Sequence, residues 1–333
     1  MRSGFVSIIG RPNAGKSTLI NALVGEKVAI VTAKPQTTRN RIHGILEVGA
    51  IKGKHPAAQI VFVDTPGVHM PGTSLDKRMM QEVYDALETR DAVLLIVDAT
   101  RRLDIQEPGA SVQPPKKRHE SEDVFVFELL RKLDCPVFLL INKIDLIERS
   151  KLLPLIQKLS SLYNFAEVIP ISARKRDGLE VLLNKLIDVL PTGQRYFPKD
   201  QFTDQPERFL VAELIRERIL IETGEEVPYA SAVVVERFEE PEPSAKKPIA
   251  HISAVIYCER AGQKAILIGK GGAKLKAIGT GARKEIESLL GTKVFLELHV
   301  VVKENWRESR GFVESLDWRR QLEDISTKQD VKE

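Results

Sequence analysis

Residues 4–17 read GFVSIIGRPNAGKS, and this stretch decides the fold. Its first half is a short run of β-branched and aromatic residues, the composition of a strand buried on both faces. Its second half, Gly10-Arg11-Pro12-Asn13-Ala14-Gly15-Lys16-Ser17, fits the pattern GxxxxGK[ST], and KSTLINALVG continues with helical spacing. Strand, glycine-containing turn and helix in that order predict a phosphate-cradling loop. The glycines let backbone N–H groups converge on an anion at a helix N-terminus. Lys16 is then expected to place its charge on outer phosphates and Ser17 to ligate Mg2+, with Thr18 beside it. A glycine turn with a surface lysine is the bland alternative, and both flanks speak against it.

Outward from this loop the same theme recurs. AQIVFVDTPG (58–67), AVLLIVDAT (92–100), PVFLLINKID (136–145) and AEVIPISAR (166–174) are apolar runs, most of them ending in polar residues. Such runs separated by helices predict an α/β domain with a mostly parallel sheet, ligands sitting at the strands' carboxyl ends. The whole chain has 333 residues, enough for about two domains on a prior of roughly 150 residues each. Two distant cysteines, Cys135 and Cys258, argue against a disulfide scaffold and a cysteine zinc site, and fit a reducing cytoplasm. No apolar run approaches the roughly 20 residues of a membrane span. A net charge of +4 is too small to choose between partners.

Three further motifs give the loop a ligand. Asp64, in Asp64-Thr65-Pro66-Gly67, ends an apolar strand; such an Asp can hold Mg2+ while the Gly67 N–H meets a γ-phosphate. Alone the tetrapeptide is only a plausible turn. Asn142-Lys143-Ile144-Asp145 selects a base: a carboxylate at Asp145 accepts the N1–H and 2-amino protons of guanine. Adenine lacks both, and a site built on hydrogen bonds rejects the analogue without them. Asn142 can bridge base and phosphate loop, the Lys143 stem can cover the ring, and Ser172-Ala173 can offer backbone N–H groups to guanine O6. Together and in this order the motifs predict a GTP/GDP site.

GRPNAGKS, PQTTRNR, DTPG, NKID and SAR resemble the five G motifs of the translation-factor-related GTPases. On that resemblance Thr38 is the switch threonine that closes on Mg2+ and the γ-phosphate, with Thr37 as the alternative. Val68 stands where Ras-like proteins keep a water-orienting glutamine, and valine cannot orient water. Asn13 resembles the asparagine with which related GTPases hold K+ near the phosphates; a turn-forming role is the competing reading. Slow intrinsic turnover, accelerated by K+, by RNA or by both, is the expectation, with Lys16, Thr38, Gly67 and Asn13 as the catalytic set.

The second half has another order. PTGQRYFPKDQFTDQP suits a linker, and an amphipathic helix (PERFLVAELIRERILIET), two strands, helix–turn–helix and a third strand follow. The turn holds Gly269-Lys270-Gly271-Gly272. A GxxG turn sets helix N-termini and N–H groups against a nucleic-acid backbone. Lys270, Lys274 and Lys276 add charge, and Ile266 and Ile268 an apolar wall for bases. Alone GxxG is a poor signal, but the order α-β-β-α-α-β matches a type II KH domain. The boundaries expected are a G domain over 1–192, a linker over 193–204, a KH domain over 205–316 and a flexible tail over 317–333. A further loop is expected over 104–123, whose KKRH run is read as a solvated surface, with RNA contact as the alternative.

PQTTRNRIHGI, DTPGVH, PERFLVAELIRERIL, RAGQKAILIGKGGAKLKAIG and KVFLELHVVVKENW, spread from residue 4 to about 315, resemble the Era family of bacterial GTPases. That resemblance implies 30S ribosomal subunit assembly, binding to the 3′ end of 16S rRNA and peripheral membrane association. No segment demands self-association, so a monomer is expected, and no DNA partner. Ala14 departs from the valine common in this loop. Two rivals remain: a tRNA-modification GTPase, whose terminal cysteine motif is missing here, and an RNA-binding protein using GTP as a structural ligand. A tandem-G-domain factor is excluded by the single phosphate loop.

Overall fold

The computed structural model describes residues 1–68, 72–101, 118–224, 226–241 and 248–320. The chain divides into two compact units, 1–71 with 79–204, and 72–78 with 205–333.

The first unit opens with β1 (Arg2–Ile9), α1 (Lys16–Val24), β2 (Ile42–Val48) and β3 (Ala58–Asp64). It continues with α2 (Ser74–Glu88, residues 79–88 of which belong to this unit), β4 (Ala92–Asp98), α3 (Arg118–Leu130), β5 (Val137–Asn142), α4 (Arg149–Ser160), β6 (Glu167–Pro170) and α5 (Leu179–Val189). The six strands lie in the order β2-β3-β1-β4-β5-β6. Every pairing is parallel except β2 with β3. Every residue of β3, β4 and β5 is buried, as expected for strands covered on both faces. The register matters for the site, because Ile8 lies opposite Asp64 and Asp98 opposite Asn142. The ends of four strands therefore open onto one edge.

The apolar-run reading locates β1 and β3–β6 to within four residues at either end, and does not single out β2 or α2–α4. β2 reads IHGILEV, which is neither a long apolar run nor a clean alternation. Helix α3 corrects the expected loop over 104–123: residues 118–123 are helical. Residues 102–117 lie outside the described part, and so does any RNA contact through the KKRH run.

The stretch read as a linker is a fixed strap. Ile45 N donates to Phe202 O at 2.9 Å, and Thr203 Oγ1 to His43 O at 2.8 Å. The Gln59 amide receives the N–H groups of Tyr196 and Phe197 and donates to Phe197 O. Residues 196–203 thus lie along the edge made by β2 and β3, paired to it rather than loose.

The second unit holds α6 (Glu207–Glu222), β7 (Ala232–Glu239), β8 (Ile249–Cys258), α7 (Ala261–Ile268), α8 (Ala273–Leu290), β9 (Lys293–Val302) and α9 (Arg310–Ser315). β7 pairs antiparallel with β8 and β8 parallel with β9, in the expected α-β-β-α-α-β order. Helix α6 is not amphipathic as expected. Glu213, Arg216 and Glu217 are buried along with its leucines and isoleucines. The Arg216 guanidinium forks onto Glu213 at 2.8 and 2.6 Å, which satisfies two charges removed from water. The tail expected to be flexible starts too early: Trp318 is buried and packs on Phe209, ring centroids 6.2 Å apart. Residues 321–333 lie outside the described part.

Candidate functional site

At the open edge of the sheet a cleft of about 300 Å³ is lined by Pro12–Asn13, Gly15–Thr18, residues 30–33 and 36–38, Gly67, Arg101 and Lys143. Gly15 has φ +105°, and a methyl group there would overlap the Asn142 amide nitrogen. A Cβ on Gly67 would come within 2.7 Å of the Pro12 ring. Both glycines are therefore dictated by close approach of backbone to neighbours.

Lys16 Nζ is buried and donates to Gly10 O and Arg11 O, each at 3.1 Å. Burial lowers its ammonium pKa to about 8 against the pull of Asp64. Burial likewise raises the Asp64 carboxyl, with Lys16, Ser17, Thr38 and the Thr65 N–H opposing. Three oxygens converge: Ser17 Oγ lies 2.8 Å from Asp64 Oδ2 and 2.9 Å from Thr38 Oγ1, and Thr38 Oγ1 lies 3.1 Å from Asp64 Oδ2. Asp64 Oδ1 is buried with no partner among the described residues. Two hydroxyls, a carboxylate with an unsatisfied buried oxygen and a neighbouring ammonium fit a hard divalent cation and phosphate oxygens. Thr37 is turned elsewhere, its hydroxyl donating to Lys34 O at 2.6 Å.

The cluster predicts a pH dependence. If this cleft takes phosphate, Lys16 must be charged to bind it, and burial brings its ammonium down to about 8. A bound anion raises that value, so nucleotide binding takes up a proton above pH 8 and affinity falls as pH rises through 8–10. Calorimetric titration with GDP and Mg2+ in buffers of different ionisation enthalpy measures the uptake; none at pH 9 would contradict this assignment for Lys16.

The base loop is braced from several sides. Asn142 Nδ2 donates to Ala14 O at 2.8 Å and its Oδ1 accepts from Ala173 N at 3.0 Å. It ties the phosphate loop to the 172–173 turn. Ser172 Oγ donates to Asp145 Oδ1 at 2.7 Å and accepts from Lys175 N, which orients the carboxylate. The Ser172 N–H donates to Asp177 O and the Ala173 N–H to Asn142 Oδ1. Lys143 Nζ donates to Asn13 O at 2.8 Å, and Asn13 Nδ2 to Ala33 O at 2.7 Å.

Three neighbouring side chains are engaged away from the cleft. The Arg11 guanidinium pairs with Glu122 and Asp123 on α3. Thr65 Oγ1 is buried on Ile8 O at 2.7 Å, and Val68 sits fully buried in the apolar core behind the sheet. Asp98 and Arg101 are near the site but belong to no motif singled out above. The signal for Asp98 is in VDAT, a polar residue at the carboxyl end of an apolar strand.

In the second unit the turn after α7 is a single 3₁₀ turn, Lys270–Gly272. Gly269, Gly271 and Gly272 have φ of +72°, +60° and +81°. A Cβ on Gly269 would come within 2.7 Å of Lys274 Cβ, whereas Gly271 and Gly272 face open space. Lys270 and Lys276 are exposed, Ile266 is 48% exposed, and Lys274 lies 3.9 Å from Glu222. No helix among the described residues is long and apolar enough to cross a membrane.

These features define a two-domain G protein, a P-loop domain followed by a KH module. A model described as 50S ribosome-binding GTPase matches residues 5–143, and a KH domain model matches residues 226–307. The chain belongs to the GTPase Era family. It is 47% identical over 305 residues to GTPase Era of Syntrophus aciditrophicus, covering 92% of this chain and 91% of that relative. With GTPase Era of Ruminiclostridium cellulolyticum it is 42% identical over 318 residues, covering 96% and 98%. Among solved structures, a single-residue variant of Aquifex aeolicus Era bound to GDP·AlF4⁻ superposes with a TM-score of 0.83 at 36% identity, covering 94% of this chain and 98% of that one. Era in complex with MgGDPNP and nucleotides 1506–1542 of 16S ribosomal RNA gives 0.82 at 38%, with the same coverage.

Proposed function

We infer that this protein binds and hydrolyses GTP in the cleft beside Lys16 and binds the 3′ end of 16S rRNA through the KH module, acting in 30S subunit assembly. The observation that carries the reading is the cluster Ser17–Thr38–Asp64 with its unsatisfied carboxylate oxygen against Lys16. Ser17, Thr38 and Asp64 would hold Mg2+, which neutralises charge on the outer phosphates when bound. Lys16 places its ammonium on the β- and γ-phosphates, and Gly67 brings its N–H to the γ-phosphate. Asp145 accepts the N1–H and 2-amino protons of guanine while the Lys143 stem covers the ring. Ser172, Ala173 and Asn142 act by bracing those groups.

Hydrolysis needs mostly positioning and charge neutralisation, which these residues supply. Val68 is buried and apolar, so the attacking water is oriented by something else. Asn13 spends Nδ2 on Ala33 O, which leaves Oδ1 as the atom to meet a K+ ion. Closure of Thr38 on the bound nucleotide is the event read out by RNA affinity. Gly271 and Gly272, with open space where a Cβ would stand, let an RNA backbone approach, Lys270, Lys274 and Lys276 supply charge, and Ile266 and Ile268 meet bases. A GTPase acting on ribosomal particles works in the cytoplasm, and the family resemblance adds peripheral contact with the inner face of the membrane.

The test is turnover with and without an RNA of 16S nucleotides 1506–1542, the segment in the related complex, in K+ and in Na+ buffer. RNA-stimulated hydrolysis that weakens in Lys270→Ala is the expected result, with K+ faster than Na+. Turnover no higher than that of a protein-free control under all four conditions would leave GTP as a structural ligand and overturn the reading.

A further inference from the structure

One carboxylate outside the recognised motifs ties the two halves of the cleft together. Asp98 is the last residue of β4 and lies opposite Asn142, the first residue of the base motif. Its Oδ1 is fixed by Thr100, which donates its N–H at 2.9 Å and its hydroxyl at 2.7 Å. Its Oδ2, oriented by that grip, accepts from Lys143 Nζ at 2.6 Å. The same ammonium donates to Asn13 O in the phosphate loop. Arg101 lies further off, 3.8 Å from Oδ2 and on the more exposed side.

The backbone shows why such a tie is needed. Lys143 and Asn13 both carry positive φ, +67° and +64°, a region disfavoured for residues with a Cβ. The two turns that present the base-covering stem and the phosphate-facing loop are thus both unfavourable by themselves, and one ammonium joins them. Asp98 is buried and Lys143 only partly so, 6% against 31% exposed, so the pair is shielded more than a surface ion pair. Burial works to raise the Asp98 carboxyl, but hydrogen bonds from Lys143 and Thr100 and the Lys143 charge outweigh it and hold the group ionised.

We propose that Asp98 is a positioning residue for nucleotide retention, holding Lys143 across the phosphate loop at Asn13 so that base loop and phosphate loop keep one ligand-binding arrangement. This rests on the reading of the cleft as the nucleotide site. Without the carboxylate, Lys143 loses the anchor that directs it at Asn13 O, and the long side chain turns to water. Both turns then relax, and bound nucleotide escapes faster whatever its base, because the groups that select guanine sit on Asp145.

The test uses the full chain loaded with mant-GDP and Mg2+, chased with excess unlabelled GDP, and follows release in the parent, Asp98→Asn, Lys143→Met and the double variant. The asparagine keeps Oδ1 as the acceptor for Thr100 and sets an Nδ2 donor where Lys143 needs an acceptor, and unfolding of the nucleotide-free protein checks that it is folded. Loss of a charge-assisted hydrogen bond predicts release at least about tenfold faster in Asp98→Asn. In the Lys143→Met background the same substitution should change release by less than about twofold, since coupled residues are not additive. Mant-IDP, which lacks the 2-amino group, should show the same acceleration. Unchanged release in Asp98→Asn with faster release in Lys143→Met overturns the proposal alone. Equal acceleration by Asp98→Asn in both backgrounds overturns it too, since Asp98 would then act independently of Lys143. Unchanged release in Lys143→Met overturns the reading of the cleft itself, and the proposal with it.

Discussion

Lys16→Met is expected to give a folded protein that no longer binds GTP or GDP. The ammonium is buried between Gly10 O and Arg11 O and lies beside Asp64. Charge-assisted hydrogen bonds to phosphate are worth about 1.5–3 kcal/mol each, so losing two or more weakens binding by at least about a hundredfold. Stability of the empty protein should move the other way. Burial puts the folded-state value of Lys16 at about 8, below the ordinary 10.5. The unfolded chain therefore binds the proton more tightly, and below pH 8 the charged lysine costs folding free energy in full. As pH rises from 8 to 10.5 that cost disappears. Methionine removes it at every pH, so the empty variant should melt no lower than the parent at pH 7. The shift in melting temperature that saturating GDP and Mg2+ give the parent should vanish. A variant that keeps the shift would remove Lys16 from the phosphate site.

Asp145→Asn should exchange the base preference from guanine to xanthine. In the structure Ser172 Oγ donates to Asp145 Oδ1, and Lys175 N holds that hydroxyl in place. Asparagine can keep its Oδ1 on Ser172, which turns Nδ2 to the place of the second carboxylate oxygen. GTP then meets a donor where its own N1–H and amino protons need an acceptor. XTP, with a carbonyl at the 2-position, gains a partner. Sites built on such pairs reject the mismatched analogue by about 10⁴-fold, and the ratio of GTP to XTP affinity should change on that scale. Competition of mant-GDP by GTP and by XTP measures it. A variant weakened equally toward both nucleotides would mean that Asp145 shapes the loop and does not read the base.

Much of the site was legible because its chemistry is local. Gly10–Ser17 carries its own turn, cation and hydroxyl within one strand–loop–helix unit, and Asp64, Asn142 and Asp145 sit where apolar strands run out. What escaped was whatever depends on who stands opposite. IHGILEV becomes an edge strand because β3 offers it a ladder, and its own pattern does not announce one. Helix α6 looks amphipathic from its charges, yet Glu213 and Arg216 neutralise one another and are buried. Nothing in Ser172-Ala173 announces that their N–H groups donate to Asp177 O and Asn142 Oδ1.

By itself, then, the sequence determined the layered α/β domain, the α+β module that follows it in the chain, the glycine-containing turn over Gly10–Ser17 and the polar residues that end the apolar strands. Each follows from hydrophobic periodicity or from residue types a few positions apart, and both are properties of a short length of chain. Only the tertiary structure decided that Thr38 and not Thr37 faces Ser17 and Asp64, and that the stretch before the second unit is a strap along β2 and β3. It alone decided that Asp98 grips Lys143. Those outcomes rest on contacts between residues 21 to 160 positions apart, such as Ser17 with Thr38 and Thr203 with His43. Hydrogen bonds of that kind depend on distance in space, and spacing along the chain does not report it.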